Sequence, residues 1–101
     1  PHCIAELNDQ QVLLAKINGE FVWHSHKDED ELFYVIKGKL YMEYRDKKVE
    51  VLPGEMIVVP KGVEHRPSAK TETWILLFEP TSTKHTGNVM TEITKSNYPK
   101  I

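Results

Sequence analysis

The sequence has one cysteine, no long apolar run and no surplus of positive charge, and each absence excludes a class of protein. A lone Cys3 cannot form an internal disulfide, which is typical of a reducing compartment, so we expect a cytoplasmic protein. The longest apolar run, residues 74–78, falls far short of the roughly 20 residues that a membrane-spanning helix needs, so no membrane partner is expected. Thirteen basic and fifteen acidic residues give a net charge of −2. With no basic stripe either, no nucleic-acid partner is expected.

The length and composition of the chain indicate one globular unit. With 101 residues, of which 40% are hydrophobic and 28% charged, the chain can bury one core and is too short for two. The same composition excludes a disordered or low-complexity protein. We therefore expect a single domain over residues 1–101.

Helical periodicity is almost absent, and short runs of β-branched, aromatic and aliphatic residues repeat between turn signals. Strands are predicted at residues 11–17, 21–26, 31–37, 39–44, 48–52, 55–59 and 72–79. Turns are predicted at residues 18–19, 27–30, 45–47, 53–54 and 60–62. Seven or eight short strands about eight to twelve residues apart are typical of a β-sandwich or barrel. The sequence thus predicts an all-β barrel with its core in residues 11–79.

The predicted strand at residues 31–37 reads Glu-Leu-Phe-Tyr-Val-Ile-Lys and is apolar on both faces. One face is expected to line the barrel, and the other needs a second layer. Because no helix is predicted to supply that layer, we expect a second subunit to cover it and predict a homodimer. The polar composition of residues 80–101 predicts an extended C-terminal arm outside the barrel. Its few apolar residues, Val89, Met90, Ile93 and Tyr98, are expected to dock it on the barrel or on the partner subunit.

Three histidines and one glutamate form the candidate site. His24 and His26 stand two apart on a predicted strand, so their side chains leave the same face. Glu31 opens the next predicted strand and is expected beside His26 across a hairpin, and His65 follows the turn at residues 60–62. Three imidazoles and a carboxylate suit a divalent Zn, Fe, Mn, Ni, Co or Cu ion and leave coordination positions open. We predict a metal site at these four residues.

Four other polar or aromatic residues are not expected to belong to the metal site. His2 and His85 lie in polar chain ends and are interpreted as bystanders. Trp23 points away from its histidine neighbours, so interface packing is favoured over substrate contact. For Arg66, beside His65, an ordinary surface position is favoured over contact with an anionic substrate.

The spacing of these residues resembles the two motifs of the cupin family. The first motif is matched by Gly19, His24-Ser25-His26, Glu31 and Gly38, and the second by Gly54, Pro60-Lys61-Gly62 and His65. The resemblance covers residues 19–65. It departs from the family pattern in having four rather than five residues between Gly19 and His24, and Ala69 where asparagine is usual. Neither departure touches a ligand position.

The resemblance implies an antiparallel jelly-roll barrel (a double-stranded β-helix), often dimeric, with a metal inside near one mouth. It places His24, His26, Glu31 and His65 on the ligand positions of the family. Cupins include dioxygenases, decarboxylases, sugar-phosphate isomerases and epimerases, so the resemblance implies a small-molecule substrate but no single reaction.

A metalloenzyme, either an oxidoreductase or an isomerase, is the favoured function. The residues predicted to face inward, such as Phe33, Val35, Leu40 and Met42, are apolar, and no second acid or base is predicted to line the pocket. This favours dioxygenase-like or enolate and carbonyl chemistry directly at the metal, with Glu31 the one candidate catalytic residue. Two alternatives stay open: a sugar-phosphate isomerase-like cupin, and a non-catalytic small-molecule-binding or sensory cupin.

Overall fold

Alternating apolar residues fold the chain into seven β-strands, which a computed structural model describes over residues 1–82. They are β1 (His2–Leu7), β2 (Gln10–Glu20), β3 (Glu31–Lys37), β4 (Leu40–Tyr44), β5 (Lys48–Val51), β6 (Met56–Val59) and β7 (His65–Pro80). All strand pairs are antiparallel. The all-β prediction is confirmed. No helix long and apolar enough to cross a membrane occurs in this part of the chain.

The long strand β7 organises the sheet. The strand order is β1-β2-β7-β3-β6, and β4 pairs with both β5 and β7. The first residues of β7 pair with β4, and its second half lies between β2 and β3. One strand of 16 residues therefore joins two parts of the sheet, which curve around a common interior.

The interior is filled by the inward row of each strand, as period-two alternation requires. Phe33, Val35, Leu40 and Met42, all predicted to face inward, are buried, and this prediction is confirmed. Other members of the core cluster are Cys3, Leu13, Ala15, Val51, Val59, Ile75 and Leu77. Cys3 is therefore a small core residue near one end of the barrel.

The strand prediction was wrong between β2 and β3. Residues 21–26 form no strand and contribute a single isolated bridge, between His24 and His65. The predicted hairpin to Glu31 is also wrong, because β3 pairs with β6 and β7. The segment lies beside the start of β7, but only Phe21 and His24 form backbone hydrogen bonds with it, to Pro67 and His65. Strand-like composition alone does not supply the missing pairs.

Smaller differences lie at strand ends. The turn predicted at residues 18–19 is an irregularity inside β2, where the register against β7 shifts between Ile17 and Gly19. β1 was not predicted, and β7 begins seven residues before the strand predicted at residues 72–79. The hairpin predicted around residues 45–47 is confirmed by the pairing of β4 with β5. Residues 83–101 lie outside the described part, so docking of the C-terminal arm stays a prediction.

Gly38 ends β3 where two strands approach closely, and we expect its replacement by alanine to destabilise the fold. Its φ is +90°, and an added Cβ would lie 2.5 Å from the hydroxyl oxygen of Thr73. That hydroxyl is fixed by hydrogen bonds with the backbone of Lys39. Strain and overpacking together should lower the free energy of unfolding of Gly38→Ala by about 3 kcal/mol in urea denaturation.

Gly54→Ala is the matched control for that measurement. Gly54 has a φ of +83°, but nothing lies within 4 Å of its ideal Cβ. Only the left-handed backbone is strained there, so we expect a loss of about 1 kcal/mol. Equal losses in the two variants would contradict the role assigned to the contact with Thr73.

Candidate metal centre

Four buried side chains from three parts of the chain meet inside the barrel. His24 and His26 come from the segment between β2 and β3, Glu31 begins β3, and His65 begins β7. Their relative exposures are 3%, 3%, 2% and 0%. One ligand atom from each residue lies within 4.8 Å of those of the other three. The structure therefore brings together all four residues that the sequence singled out.

Backbone hydrogen bonds fix the segment that carries the first two histidines. The amide of His24 donates to the carbonyl of His65 at 3.0 Å, and the amide of His65 donates back at 2.9 Å. The amide of Gly62 donates to the carbonyl of His26 at 2.7 Å. The segment is thus held to the start of β7 without being a strand.

Two of the imidazoles are fixed in one tautomer. The Nδ1 of His24 lies 2.8 Å from the carbonyl oxygen of Val22, and the Nδ1 of His65 lies 2.9 Å from that of Val63. Because a carbonyl only accepts, each Nδ1 carries the hydrogen and each Nε2 presents a lone pair. This arrangement is common in histidines that bind metals.

The nitrogen and oxygen atoms that face one another at the centre of the cluster lack hydrogen-bond partners. The Oε1 of Glu31 lies 3.3 Å from the Nε2 of His26 and 3.7 Å from the Nε2 of His65. These three atoms and the Nδ1 of His26 have no hydrogen-bond partner within residues 1–82. Each unsatisfied buried polar atom costs about 1–3 kcal/mol. A divalent cation would satisfy the facing atoms, so the residues fit a metal ion.

The protonation states of the cluster also suit a cation. Burial lowers the pKa of His24 to about 4, the hydrogen bond to Val22 opposes that shift, and the neighbouring His65 and His26 add to it. Burial alone raises the pKa of Glu31, but the facing side chains of Glu79, His26 and His65 outweigh it and hold the pKa below its usual range. A neutral imidazole and an ionised carboxylate are the forms that bind metals.

The other residues considered from sequence lie outside the cluster. His2 is exposed on β1, and His85 is not among the described residues. Arg66 points away and forms ion pairs with Glu43 at 2.8 Å and Glu20 at 3.0 Å, so its surface position is confirmed. The guanidinium carbon of Arg45 lies over the ring of Trp23, 3.9 Å from the ring centroid.

The expectation that no second acid or base lines the pocket is wrong, because Lys16 and Glu20 lie in the wall of the cavity beside the cluster. A further acid, Glu79, is fully buried on β7. Burial raises the pKa of Glu79 well above its ordinary value, and the neighbouring Glu31 raises it further. The signal was present in the sequence: Ile75, Leu77 and Glu79 follow the same two-residue period. Glu79 is the last residue of the strand predicted at residues 72–79 and the next inward position after Leu77.

A cavity of about 560 Å³ opens onto the cluster. His24 and Glu31 form part of its wall, and Lys16 and Glu20 are its other charged lining residues. Most of the remaining lining residues are apolar: Pro1, Ala15, Ile17, Phe21, Phe33, Pro67, Ile75 and Leu77. The cluster thus faces a cavity that is large enough for a small molecule and has a mostly apolar wall.

The fold and the site define a small antiparallel β-barrel with three histidines and one glutamate clustered beside an internal cavity. The Cupin domain family model (Cupin_2) matches residues 12–78, and the chain belongs to this family. The resemblance stated from the motifs is therefore confirmed.

Three relatives show how far the similarity extends. A cupin-2 domain containing protein from Shewanella frigidimarina NCIMB 400 is 52% identical with a TM-score of 0.79, covering 79% of this chain and 78% of that one. The uncharacterized protein YdbB of Bacillus subtilis (strain 168) is 42% identical over 77 residues, 75% of this chain and 68% of YdbB.

Acireductone dioxygenase 4 of Arabidopsis thaliana is 36% identical over 67 residues, 61% of this chain and 35% of the plant protein. The similarity thus spans about a third of that dioxygenase.

Proposed function

We propose that this cupin binds one divalent transition-metal ion through His24, His26, Glu31 and His65 and acts on a small molecule as a dioxygenase-like enzyme. The observation that carries the proposal is the set of four buried ligand atoms within 4.8 Å of one another. Four protein ligands leave open positions on a metal that prefers five or six. Zn, Fe, Mn, Ni, Co and Cu all accept such ligands.

The cavity supports a substrate with an oxygen-rich head and an apolar remainder. When bound, the metal supplies a Lewis acid or a redox centre for a carbonyl, enolate or dioxygen. The side chains of Phe21, Phe33 and Ile75 line the cavity and would pack against the apolar part of the substrate. The plant relatives named acireductone dioxygenase support oxygen chemistry on a small carbonyl compound, and an acireductone is the first substrate to test.

The surroundings of the cluster favour this proposal over sugar-phosphate isomerisation. A sugar phosphate needs a cationic clamp, but Arg66 is not a lining residue of the cavity and is paired with the carboxylates of Glu20 and Glu43. Lys16 lines the cavity, but its amine lies on the surface, 3.8 Å from Glu72. An apolar wall does not compensate the charge of a phosphate group.

Metal analysis followed by a dioxygen-uptake assay tests the proposal. Protein purified without added metal, then loaded with Fe²⁺, Ni²⁺, Co²⁺ or Mn²⁺ and desalted, should retain about one ion per chain. We expect metal-dependent dioxygen uptake with an acireductone or with another small enediol or 1,3-dicarbonyl compound. Failure to retain any metal would refute the site. Bound metal with no turnover would instead support the binding or sensory alternative.

We also propose a homodimer, because the outer face of the sheet is apolar. Two rows of side chains cross β2, β7, β3 and β6 in register: Val12, Phe78, Leu32 and Val58 in one row, and Leu14, Leu76, Tyr34 and Met56 in the other. Val58 and Met56 are 50% and 59% exposed. Contiguous apolar surface of this kind is typical of an interface. The cytoplasm remains the proposed compartment, on the evidence of the lone cysteine.

A further inference from the structure

Glu79 is a second buried carboxyl group beside the candidate metal centre. Its relative exposure is 0%, and it continues the inward row of Ile75 and Leu77 on β7. The last ladder pair of β3 with β7 is Leu32 with Phe78. The next residue on each strand is Glu31 and Glu79, so the two carboxyl groups face each other on the inner side.

Gln11 extends this group on the other side of β7. It pairs with Glu79 across β2 and β7 and is itself buried, at 7% exposure. Directly opposite residues on one face of an antiparallel pair have Cβ atoms about 5 Å apart. The sheet therefore places Gln11, Glu79 and Glu31 in one line that leads from β2 to the histidines.

Buried polar atoms of Gln11 and Glu79 in this line have no hydrogen-bond partner in the described part of the chain. Both carboxyl oxygens of Glu79 and the Nε2 of Gln11 are buried with no hydrogen-bond partner among residues 1–82. Glu31 and Gln11 are the polar side chains that flank Glu79, from the neighbouring strands β3 and β2. The register therefore leaves Glu79 to form a hydrogen bond with Glu31 on one side and to accept one from the amide of Gln11 on the other.

We propose that Glu79 is a positioning residue, which holds the carboxylate of Glu31 by a hydrogen bond so that its Oε1 faces His26 and His65. The inference rests on the proposed function, since it assigns Glu79 a role only if the four residues bind a metal. Partners that orient the ligands of a metal in this way typically contribute about 10–100-fold to affinity.

Two substitutions separate the hydrogen bond from the packing of the side chain. Glu79→Gln keeps the shape and a hydrogen-bond donor toward Glu31, whereas Glu79→Leu fills the space without any donor. We expect Co²⁺ to bind Glu79→Leu about 10–100-fold more weakly than the wild-type protein in a chelator competition, and Glu79→Gln to stay within about 3-fold. The visible absorption of bound Co²⁺ should change in Glu79→Leu and remain like wild type in Glu79→Gln.

Thr73→Val is the matched control, because Thr73 is also fully buried and polar on β7 but bonds to Lys39, away from the cluster. It should lower thermal stability without changing Co²⁺ affinity or its absorption. Wild-type affinity in Glu79→Leu, or equal losses in Glu79→Leu and Glu79→Gln, would overturn the positioning role. If Glu79→Leu does not fold, Gln11→Leu serves as the test, because it removes the hydrogen bond proposed to hold Glu79. An unchanged Co²⁺ absorption in Gln11→Leu would then refute the positioning role. Wild-type protein that binds no Co²⁺ would refute the metal site itself.

Discussion

Replacing His26 by alanine is expected to weaken metal binding by at least about 100-fold while the barrel stays folded. Loss of a residue that only orients a ligand costs about 10–100-fold, and loss of a ligand costs more. Neither ring nitrogen of His26 has a hydrogen-bond partner within residues 1–82, so the substitution removes no hydrogen bond of the fold. It also relieves the burial of two unsatisfied polar atoms, which offsets the cavity left behind.

The measurement is the metal content after loading with Zn²⁺ or Co²⁺ and desalting, with circular dichroism to check the fold. Wild-type protein should hold about one ion per chain and His26→Ala almost none. His2→Ala is the control, because His2 is exposed on β1 and lies outside the cluster. A folded His26→Ala protein with full metal content would show that the four residues are not the ligand set.

Replacing Val58 by lysine is expected to convert a dimer into a monomer. Val58 is half-exposed on the strand β6, in register with Leu32 of the outer face. A lysine buried in the dimer interface would be a charge with no partner, at a cost of several kcal/mol. The interior is unaffected because the side chain points outward. Light scattering should give twice 11.7 kDa for the wild-type protein and 11.7 kDa for Val58→Lys.

Thr71→Lys supplies the control for the dimer. Thr71 is an exposed, β-branched strand residue like Val58, but it lies on β7 outside the two apolar rows. It should leave the dimer intact. A monomeric wild-type protein would contradict the proposed dimer, and a dimeric Val58→Lys would show that the two subunits meet through another face.

Several strands could be predicted because local alternation and tertiary pairing agree in them. Residues 31–37 alternate between apolar neighbours and form β3 with the predicted bounds. Residues 21–26 have similar composition but cross between strands, so the same local signal gave a wrong strand there. The histidines still meet, because the bridge between His24 and His65, rather than the predicted hairpin, holds the segment beside the other candidate ligands.

The residue types and spacing of the candidate ligands can be read from the sequence. Three histidines and a glutamate at cupin spacing are a property of the chain, and so is the two-residue alternation that builds the barrel. Which other groups face the cluster depends on strand register, which follows only from the folded structure. Glu79 and Gln11 are 48 and 20 residues from Glu31 in the chain, and only the pairing of β7 with both β2 and β3 brings the three together. Likewise, Arg66 is adjacent to His65 in sequence, yet the alternation of β7 sends it to the outer surface, where Glu20 and Glu43 neutralise it.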